Sequence, residues 1–405
     1  MRKPSRPAAL VSFLLCVLFL GGQAAARPSA QKAQAPVAGK IAMSSGRTGD
    51  PEIFLMEHDG SGLHRLTYQA GIDSQPAWSP DGSRLAFTST RDGNSEIYVV
   101  GVDGSGLANL TNHPGEDFGP AWSPDGSQIA FRSLRDGNGE IYVMGAGGSN
   151  PTNLTNDPAA DFEPAWSPDG TEIAFTSFRD GNGEIYVMDS DGSFPDNLTQ
   201  DPAQDAEPFW SPDGDRIAFE SSRNFNLDIY SMDWDGSGQT RLTTDPADDY
   251  DPSWSPDGGK IAFESYRDAN SEIYVMGPDG SGQTNITRSP TGEFDPAWQP
   301  MSPMPTVTGV KVREGKPAKF TIRLPEPPAT ATTLKYQTRK GSAKPGKDFV
   351  SAKGTLTFAP GQTTAVVKVK TKKDSRREKR ERFFLEVSVL GAPGMTARAT
   401  LKDSD

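Results

Sequence analysis

The chain has 405 residues, with 41 Lys+Arg against 53 Asp+Glu, a single cysteine and three histidines. One cysteine, at position 16, excludes a disulfide framework, a cysteine-ligated zinc site and a thiol nucleophile further along, and three histidines leave little for imidazole base or metal chemistry. With 42 Gly, 34 Pro and 34% hydrophobic residues, the composition argues for many turns and short strands rather than helices.

Residues 1–26 read as a secretory signal peptide. Arg2, Lys3 and Arg6 form a basic start, residues 8–20 an apolar run too short to span a bilayer, and Ala24, Ala25 and Ala26 the small residues of a cleavage site. Cys16 lies inside the apolar run behind bulky Leu14 and Leu15, which argues against a lipid-attachment site. Residues 27–39, rich in Ala, Pro and Gln, read as a flexible leader. No later segment approaches the ~18 apolar residues of a membrane span. The mature chain is therefore expected outside the cytoplasm, secreted, extracellular or periplasmic, and not membrane-spanning after cleavage.

From residue 40 to 300 a repeat takes over. Trp78, Trp122, Trp166, Trp210, Trp254 and Trp298 are spaced by 44 residues, and the first five are each followed by Ser-Pro-Asp-Gly. A strand-rich period of ~40–45 residues is the signature of a β-propeller with four strands per blade. In one unit, strand a is Pro76-Ala77-Trp78 and the Ser-Pro-Asp-Gly stretch a type I turn. Strand b is Leu85-Ala86-Phe87, Arg91–Asn94 a second turn, Glu96-Ile97-Tyr98-Val99 strand c, Asp103-Gly104 a tight hairpin, and residues 107–111 strand d. Strand b begins at Ile41 without a strand a before it, and Trp298 ends a strand a without a hairpin after it. Residues 40–68 and 296–299 are thus expected to share a blade, closing a ring of six and removing exposed sheet edges.

The motifs Pro-Ala-Trp-Ser-Pro-Asp-Gly, Ile-Ala-Phe and Arg-Asp-Gly-Asn-x-Glu-Ile-Tyr resemble the TolB-like (WD-type) propeller repeat. The resemblance implies a six-bladed propeller and a non-catalytic role in binding other proteins. Similar blades cap serine peptidases, but Gly-x-Ser-x-Gly occurs nowhere in this chain.

Five residues before each Trp stands an acid: Asp73, Asp117, Asp161, Asp205, Asp249 and Glu293. Strand a is the innermost of a blade, so this ring is expected at the channel mouth, binding a cationic protein, peptide or other ligand. Glu163, Glu207, Asp251 and Asp295 follow two residues later, on the same side of an extended strand. The competing readings are that the six acids merely cap turns, or that they hold a divalent metal for a lactonase-like propeller hydrolase. Arg91 and Glu96, and their repeats, are expected to pair across the b–c hairpin. Asp189-Ser190-Asp191-Gly192 and Asp233-Trp234-Asp235-Gly236 lack the terminal Glu of a calcium loop and read as turns. The Asn-Leu-Thr triplets at Asn109, Asn153 and Asn197 read as a structural column.

After a Pro- and Met-rich linker at 301–306, the charge reverses: residues 306–405 carry 22 basic and 9 acidic side chains. Short alternating runs such as Lys319-Phe320-Thr321-Ile322 imply a β-sandwich with an immunoglobulin-like arrangement over 307–405. Tyr336-Gln337-Thr338, Gly346-Lys347-Asp348-Phe349, Gly354-Thr355-Leu356-Thr357-Phe358 and Glu378-x-x-Glu381-x-Phe383 resemble a Calx-beta domain. That resemblance implies a Ca2+ site formed by Glu314, Asp348, Asp374, Glu378, Glu381, Asp403 and Asp405. Lys373 in place of an expected Asp, and seven basic residues within 371–382, imply weak affinity. The basic module is expected to dock on the propeller or on an anionic cell-envelope polymer. No nucleic-acid partner is expected.

Overall fold

The computed structural model describes residues 39–300, 306–324, 328, 331–373, 381–388 and 395–402. The expected signal peptide, most of the leader, and linker residues 301–305 lie outside them. Among the described residues every regular element is a strand.

Residues 41–298 form six antiparallel four-stranded sheets in the spatial order a-b-c-d. The second blade runs Asp73–Trp78, Arg84–Ser89, Glu96–Gly101 and Ala108–Asn109, and the next three repeat it with equal strand lengths. The ring is completed by Glu293–Trp298 pairing with Ile41–Ser45, Ile41 lying opposite Trp298 and Ser45 opposite Glu293.

Each sheet is packed between two others, which is why strand b reads Ile-Ala-Phe rather than alternating apolar and polar. Leu85 and Phe87 face the first blade, in a cluster with Ala42, Ile53 and Leu55. Ala86, on the opposite face, meets Trp122, Ile129 and Phe131 of the third blade. Phe87, Phe131, Phe175, Phe219 and Phe263 are all fully buried, one in each of five blades, with Met43 in their place in the first. The turns obey their composition: Gly82 N–H donates to Ser79 O at 2.8 Å, and the Asp81 carboxylate accepts from Ser79 Oγ at 2.6 Å and Ser83 N at 3.0 Å. The Asn column is structural, Asn153 and Asn197 donating to Asp136 and Asp180 of the preceding b–c turns at 2.9 and 2.7 Å.

Strand a departs from regularity. Its fourth residue is proline in every blade (Pro76, Pro120, Pro164, Pro208, Pro252, Pro296) and has no N–H for the ladder. The register slips there, and the residue before the proline adopts a left-handed conformation with φ between +48° and +57°. A bulge of this kind re-aims a side chain, and its consequence is the channel described below.

The C-terminal part is a sandwich. One sheet holds Thr306–Thr308, Ala318–Arg323 and Thr364–Val369; the other holds, in order, Val310–Arg313, Met395–Lys402, Glu381–Ser388, Thr332–Lys340 and Lys353–Phe358. Its core centres on Phe383, stacked on Phe349 at 4.3 Å and edge-on to Phe320 at 5.9 Å.

Candidate functional site: the acidic channel of the propeller

The six acids at the start of strand a do not face the channel. Asp73, Asp117, Asp161, Asp205, Asp249 and Glu293 are at most 1% exposed. Each is bound by an arginine: Arg91, Arg135, Arg179, Arg223 and Arg267 from the b–c turns of their own blades, at 2.5 to 2.9 Å, and Arg47 on Glu293 at 2.7 Å. Ser89 Oγ bridges the first of these pairs, donating to Asp73 at 2.6 Å and accepting from Arg91 Nε at 2.7 Å. The Arg91 guanidinium also lies over Tyr98, 4.7 Å from the ring centroid. Burial pushes the Asp117, Asp161, Asp205 and Asp249 carboxyls up even against these arginines. The expected ligand-binding ring is therefore internal to the blades, its charge neutralised within each repeat. The expected Arg91–Glu96 pair is likewise replaced by Arg91–Asp73. Glu96 instead accepts from Asn94 Nδ2 at 3.0 Å and His113 N at 2.9 Å.

The channel belongs to the bulge residues: Gln75, Gly119, Glu163, Glu207, Asp251 and Asp295 line a cavity of about 360 Å³ with the prolines and tryptophans of strand a. Four consecutive blades supply carboxylates, while the other two supply an amide and a glycine. The bulge breaks the two-residue alternation, so Glu163 parts company with Asp161 despite sharing its strand. Next to the lining acids, the residue before the last serine of strand b supplies Glu220 and Glu264, opposite Ala206 and Tyr250 in register. Six acids thus crowd one arc, with Arg132 beside Glu163.

Burial raises every one of these acids, and neighbouring carboxylates add to it at Glu207, Glu220, Asp251 and Glu264. Burial and then the Coulomb repulsion of Glu163, Asp251, Glu220 and Asp295 push Glu207 well above the usual range. Asp251 is also well above it, for burial and the nearby Asp295, Glu264 and Glu220 charges. Burial, with the Glu163 and Glu264 charges, puts Glu220 at about 8. Burial puts Glu163 at about 7 against the Arg132 charge, and Glu264 at about 7. Asp295 is raised by burial, though it accepts from Ser44 Oγ at 2.6 Å and Gln75 N at 3.0 Å.

Aromatic rings belong to the same stretch of the blades, towards the d–a and b–c loops. Tyr250 packs edge-on against Tyr266 at 5.8 Å, Phe162 against Phe178 at 5.5 Å, and Arg132 lies 4.1 Å from the Phe162 centroid. Sequence reasoning missed Glu220, Glu264 and Arg132. Their signal was the position between Phe and Ser in Ile-Ala-Phe-x-Ser, where Thr88, Arg132, Thr176, Glu220 and Glu264 vary inside a constant frame.

The face made by the a–b and c–d turns carries the sandwich. Glu172 and Asp189 stand directly opposite one another on adjacent strands of the fourth blade, a destabilising like-charge pair by itself. Arg382 of the sandwich reaches Glu172 at 3.0 Å and Lys311 reaches Asp189 at 2.6 Å. Arg339 binds Asp215 through two hydrogen bonds of 2.8 and 3.0 Å. Trp234 takes the Arg382 guanidinium over its ring at 4.1 Å and meets Phe384 edge-on. Most of the corresponding positions in other blades are neutral or basic: Arg84, Gln128 and Lys260 match Glu172, and Ser83, Ser127 and Thr171 match Asp215.

Of the seven acids implied for calcium, Asp374, Glu378, Asp403 and Asp405 lie outside the described residues. Glu314, Asp348 and Glu381 fall at one end of the sandwich. Arg313 pairs with Lys402 and Glu381 with Leu401, and Lys372 N donates to Asp348 O at 2.7 Å. Asp348 Oδ2 accepts from Lys344 N at 2.6 Å, and Lys347 Nζ lies 3.9 Å from Oδ1. Among the described residues, no three His, Cys, Asp or Glu side chains are grouped to hold a metal ion, in the channel or the sandwich.

Comparison with known proteins places this geometry. The TolB beta propeller domain model matches residues 107–208 and 197–316, the Tricorn protease N-terminal beta propeller domain model residues 48–136, and the Calx-beta domain model residues 307–405. TolB from Acinetobacter baumannii is 25% identical over 67% of this chain and 69% of its own, with a TM-score of 0.61. A putative TolB from Agrobacterium tumefaciens is 26% identical over 62% of this chain and 88% of its own, with a TM-score of 0.51. A chain of a nidogen/laminin complex, 12% identical with a TM-score of 0.54 over 64% of this chain and 98% of its own, shares the fold. No curated protein matches the sequence. With the repeat, the six closed blades and the model match over more than half its length, the chain belongs to the TolB beta-propeller family and carries a C-terminal Calx-beta domain.

Proposed function

We propose that this is a non-catalytic recognition protein, exported from the cytoplasm, whose propeller takes a cationic segment of a protein partner into its acidic channel. The observation that carries the reading is the arc of six carboxylates, Glu163, Glu207, Glu220, Asp251, Glu264 and Asp295, with Arg132 beside Glu163. Acids this close cannot all ionise without a counter-charge, and a lysine- or arginine-bearing segment supplies one. The Tyr250–Tyr266 and Phe162–Phe178 pairs add ring faces suited to cation–π contact. Membership of the TolB family supports a binding rather than a catalytic role. Among the described residues no helix is long and apolar enough to cross a membrane.

The test is calorimetry of a lysine-rich peptide with the mature chain. Binding is expected to strengthen from pH 5 to pH 8 as the arc ionises, to weaken with salt, and to fall with Asp251→Asn. Absence of binding at low salt and pH 8 sinks the reading.

The sandwich is proposed to take calcium weakly, on the order of 10⁻⁴–10⁻³ M as in extracellular modules. The support is that strand order brings Glu314, Asp348 and Glu381 to one end, so that the site depends on Asp374, Glu378, Asp403 and Asp405 to complete it. Millimolar calcium should raise the melting temperature of the mature chain, and Asp348→Asn should abolish the rise. If calcium gives neither heat nor a shift, the sandwich is a docking module only.

A further inference from the structure

The acid arc is one end of a channel space whose other walls carry no charge. The cavity of about 360 Å³ continues from the bulge residues past the proline and tryptophan of each strand a and the residue between them, alanine in four blades, to Pro168 of an a–b turn and to Pro300 after the last strand a. That volume is in the range of small-molecule sites, and apolar walls with a few convergent polar groups are their usual make-up.

Three further observations set the chemistry of an occupant. First, five of the six bulge positions keep a side chain at a left-handed φ, where glycine is the undemanding residue and Gly119 shows that the blade accepts it. A strain repeated five times and borne by four acids points to use of the side chains. Second, Glu220, behind the lining acids, is 9% exposed; the Asp251 N–H donates to its carboxylate, but its Oε2 is buried with no hydrogen-bond partner, with Glu163 and Glu264 as its strongest charged neighbours. A buried carboxylate oxygen left without a donor costs free energy, so a donor is wanted there. Third, the carboxylates stand along one arc of the space without forming a group of three able to coordinate a metal. Calcium wants six to eight oxygens at short range, whereas an ammonium has three donors and needs only a few spaced acceptors.

We infer that the channel cavity binds a small organic cation, an ammonium head on an apolar body, with the head between Glu207 and Asp251 and the body against the proline and tryptophan rings. This rests on the cationic-ligand reading above and specifies a second class of occupant on the a–b turn side of the arc. The apolar body distinguishes this ligand from a bare ion, and the one-sided arc fixes its orientation: Gln75 and Gly119 offer no charge on the opposite wall.

Calorimetry of the mature chain at pH 8 with phenethylammonium, phenethyl alcohol and calcium chloride, beside the lysine-rich peptide, tests it. Phenethylammonium is expected to bind at least tenfold tighter than the alcohol, and Glu207→Gln to remove that preference. Ala165→Phe, which fills the apolar part and leaves every acid in place, is expected to abolish ammonium binding and spare the peptide. Equal binding of ammonium and alcohol, or ammonium binding unchanged in both variants, overturns the inference. Peptide binding without ammonium binding overturns it alone, whereas failure of both overturns the cationic-channel reading itself. Should Glu207→Gln not fold, Ala165→Phe decides.

Discussion

Asp161 and Glu163 lie two residues apart on one strand of one blade, yet they belong to different systems. Asp161 is buried against Arg179 at 2.9 Å and held by its own blade. Glu163 lines the channel, its pKa raised to about 7 by burial. The same division runs around the ring. What separates the two sets is whether the repeat itself carries the counter-charge. The Arg that meets the outer acid comes from the b–c turn in every blade, so that acid is neutralised wherever the repeat is copied. No constant residue of the repeat answers the inner acids: Arg132 stands beside Glu163 alone, and the remaining charge is left for something else to meet. The sandwich illustrates a third case: the opposed Glu172 and Asp189 are met by Arg382 and Lys311 from another domain.

The largest effect is expected in the outer set. Arg135→Ala leaves Asp117, fully buried, without its cation, and breaking one partner of a buried pair costs about 3–5 kcal/mol. In thermal unfolding this corresponds to a fall of about 10 °C. A fall below about 2 °C would place the pair with exposed bridges and erase the distinction between the two sets.

The inner set should behave with the opposite sign. A carboxyl whose pKa is higher folded than unfolded holds its proton in the native state over the interval between the two values. Stability from these groups is therefore full below the unfolded value near ~4.3 and is lost as pH rises through about 7 for Glu163 and Glu264 and about 8 for Glu220. The melting temperature is expected to fall between pH 5 and pH 8, and Glu220→Gln to raise it by roughly 2–4 °C at pH 8, with little change at pH 5. Equal stabilisation at both pH values would mean that the arc is not ionised at pH 8.

The smallest effect is expected at the domain contact. Arg339 and Asp215 are 40% and 29% exposed as side chains, and a partly solvated bridge contributes no more than about 1 kcal/mol. Asp215→Ala should leave thermal unfolding within about 2 °C of the parent. The Trp234→Ala variant, which removes the ring under Arg382, should instead increase the radius of gyration in solution scattering. An unchanged radius would assign the docking to the ion pairs alone.

Much of this architecture is legible in the sequence because it depends on repetition and on local chemistry. The 44-residue spacing of tryptophans, the Ser-Pro-Asp-Gly turns and the unmatched strands at either end specify six blades and their closure, since each unit buries both faces only against its neighbours. Which acids face the channel was decided by tertiary structure. On an ideal extended strand Asp161 and Glu163 share a side, and only the bulge forced by Pro164 separates them. The contribution of Glu220 and Glu264 depends on two strands being in register, and the pairing of five outer acids with an arginine 18 residues on, and of Glu293 with Arg47, depends on the b–c turn folding back over strand a. Contacts between chain-distant groups such as Arg382 and Glu172 leave no periodic trace, so composition could announce opposite charges in the two domains but not which residues meet. Repeats and turns are set by chemistry within a few residues, whereas the pairing or isolation of a buried charge is set by whatever the completed fold places beside it.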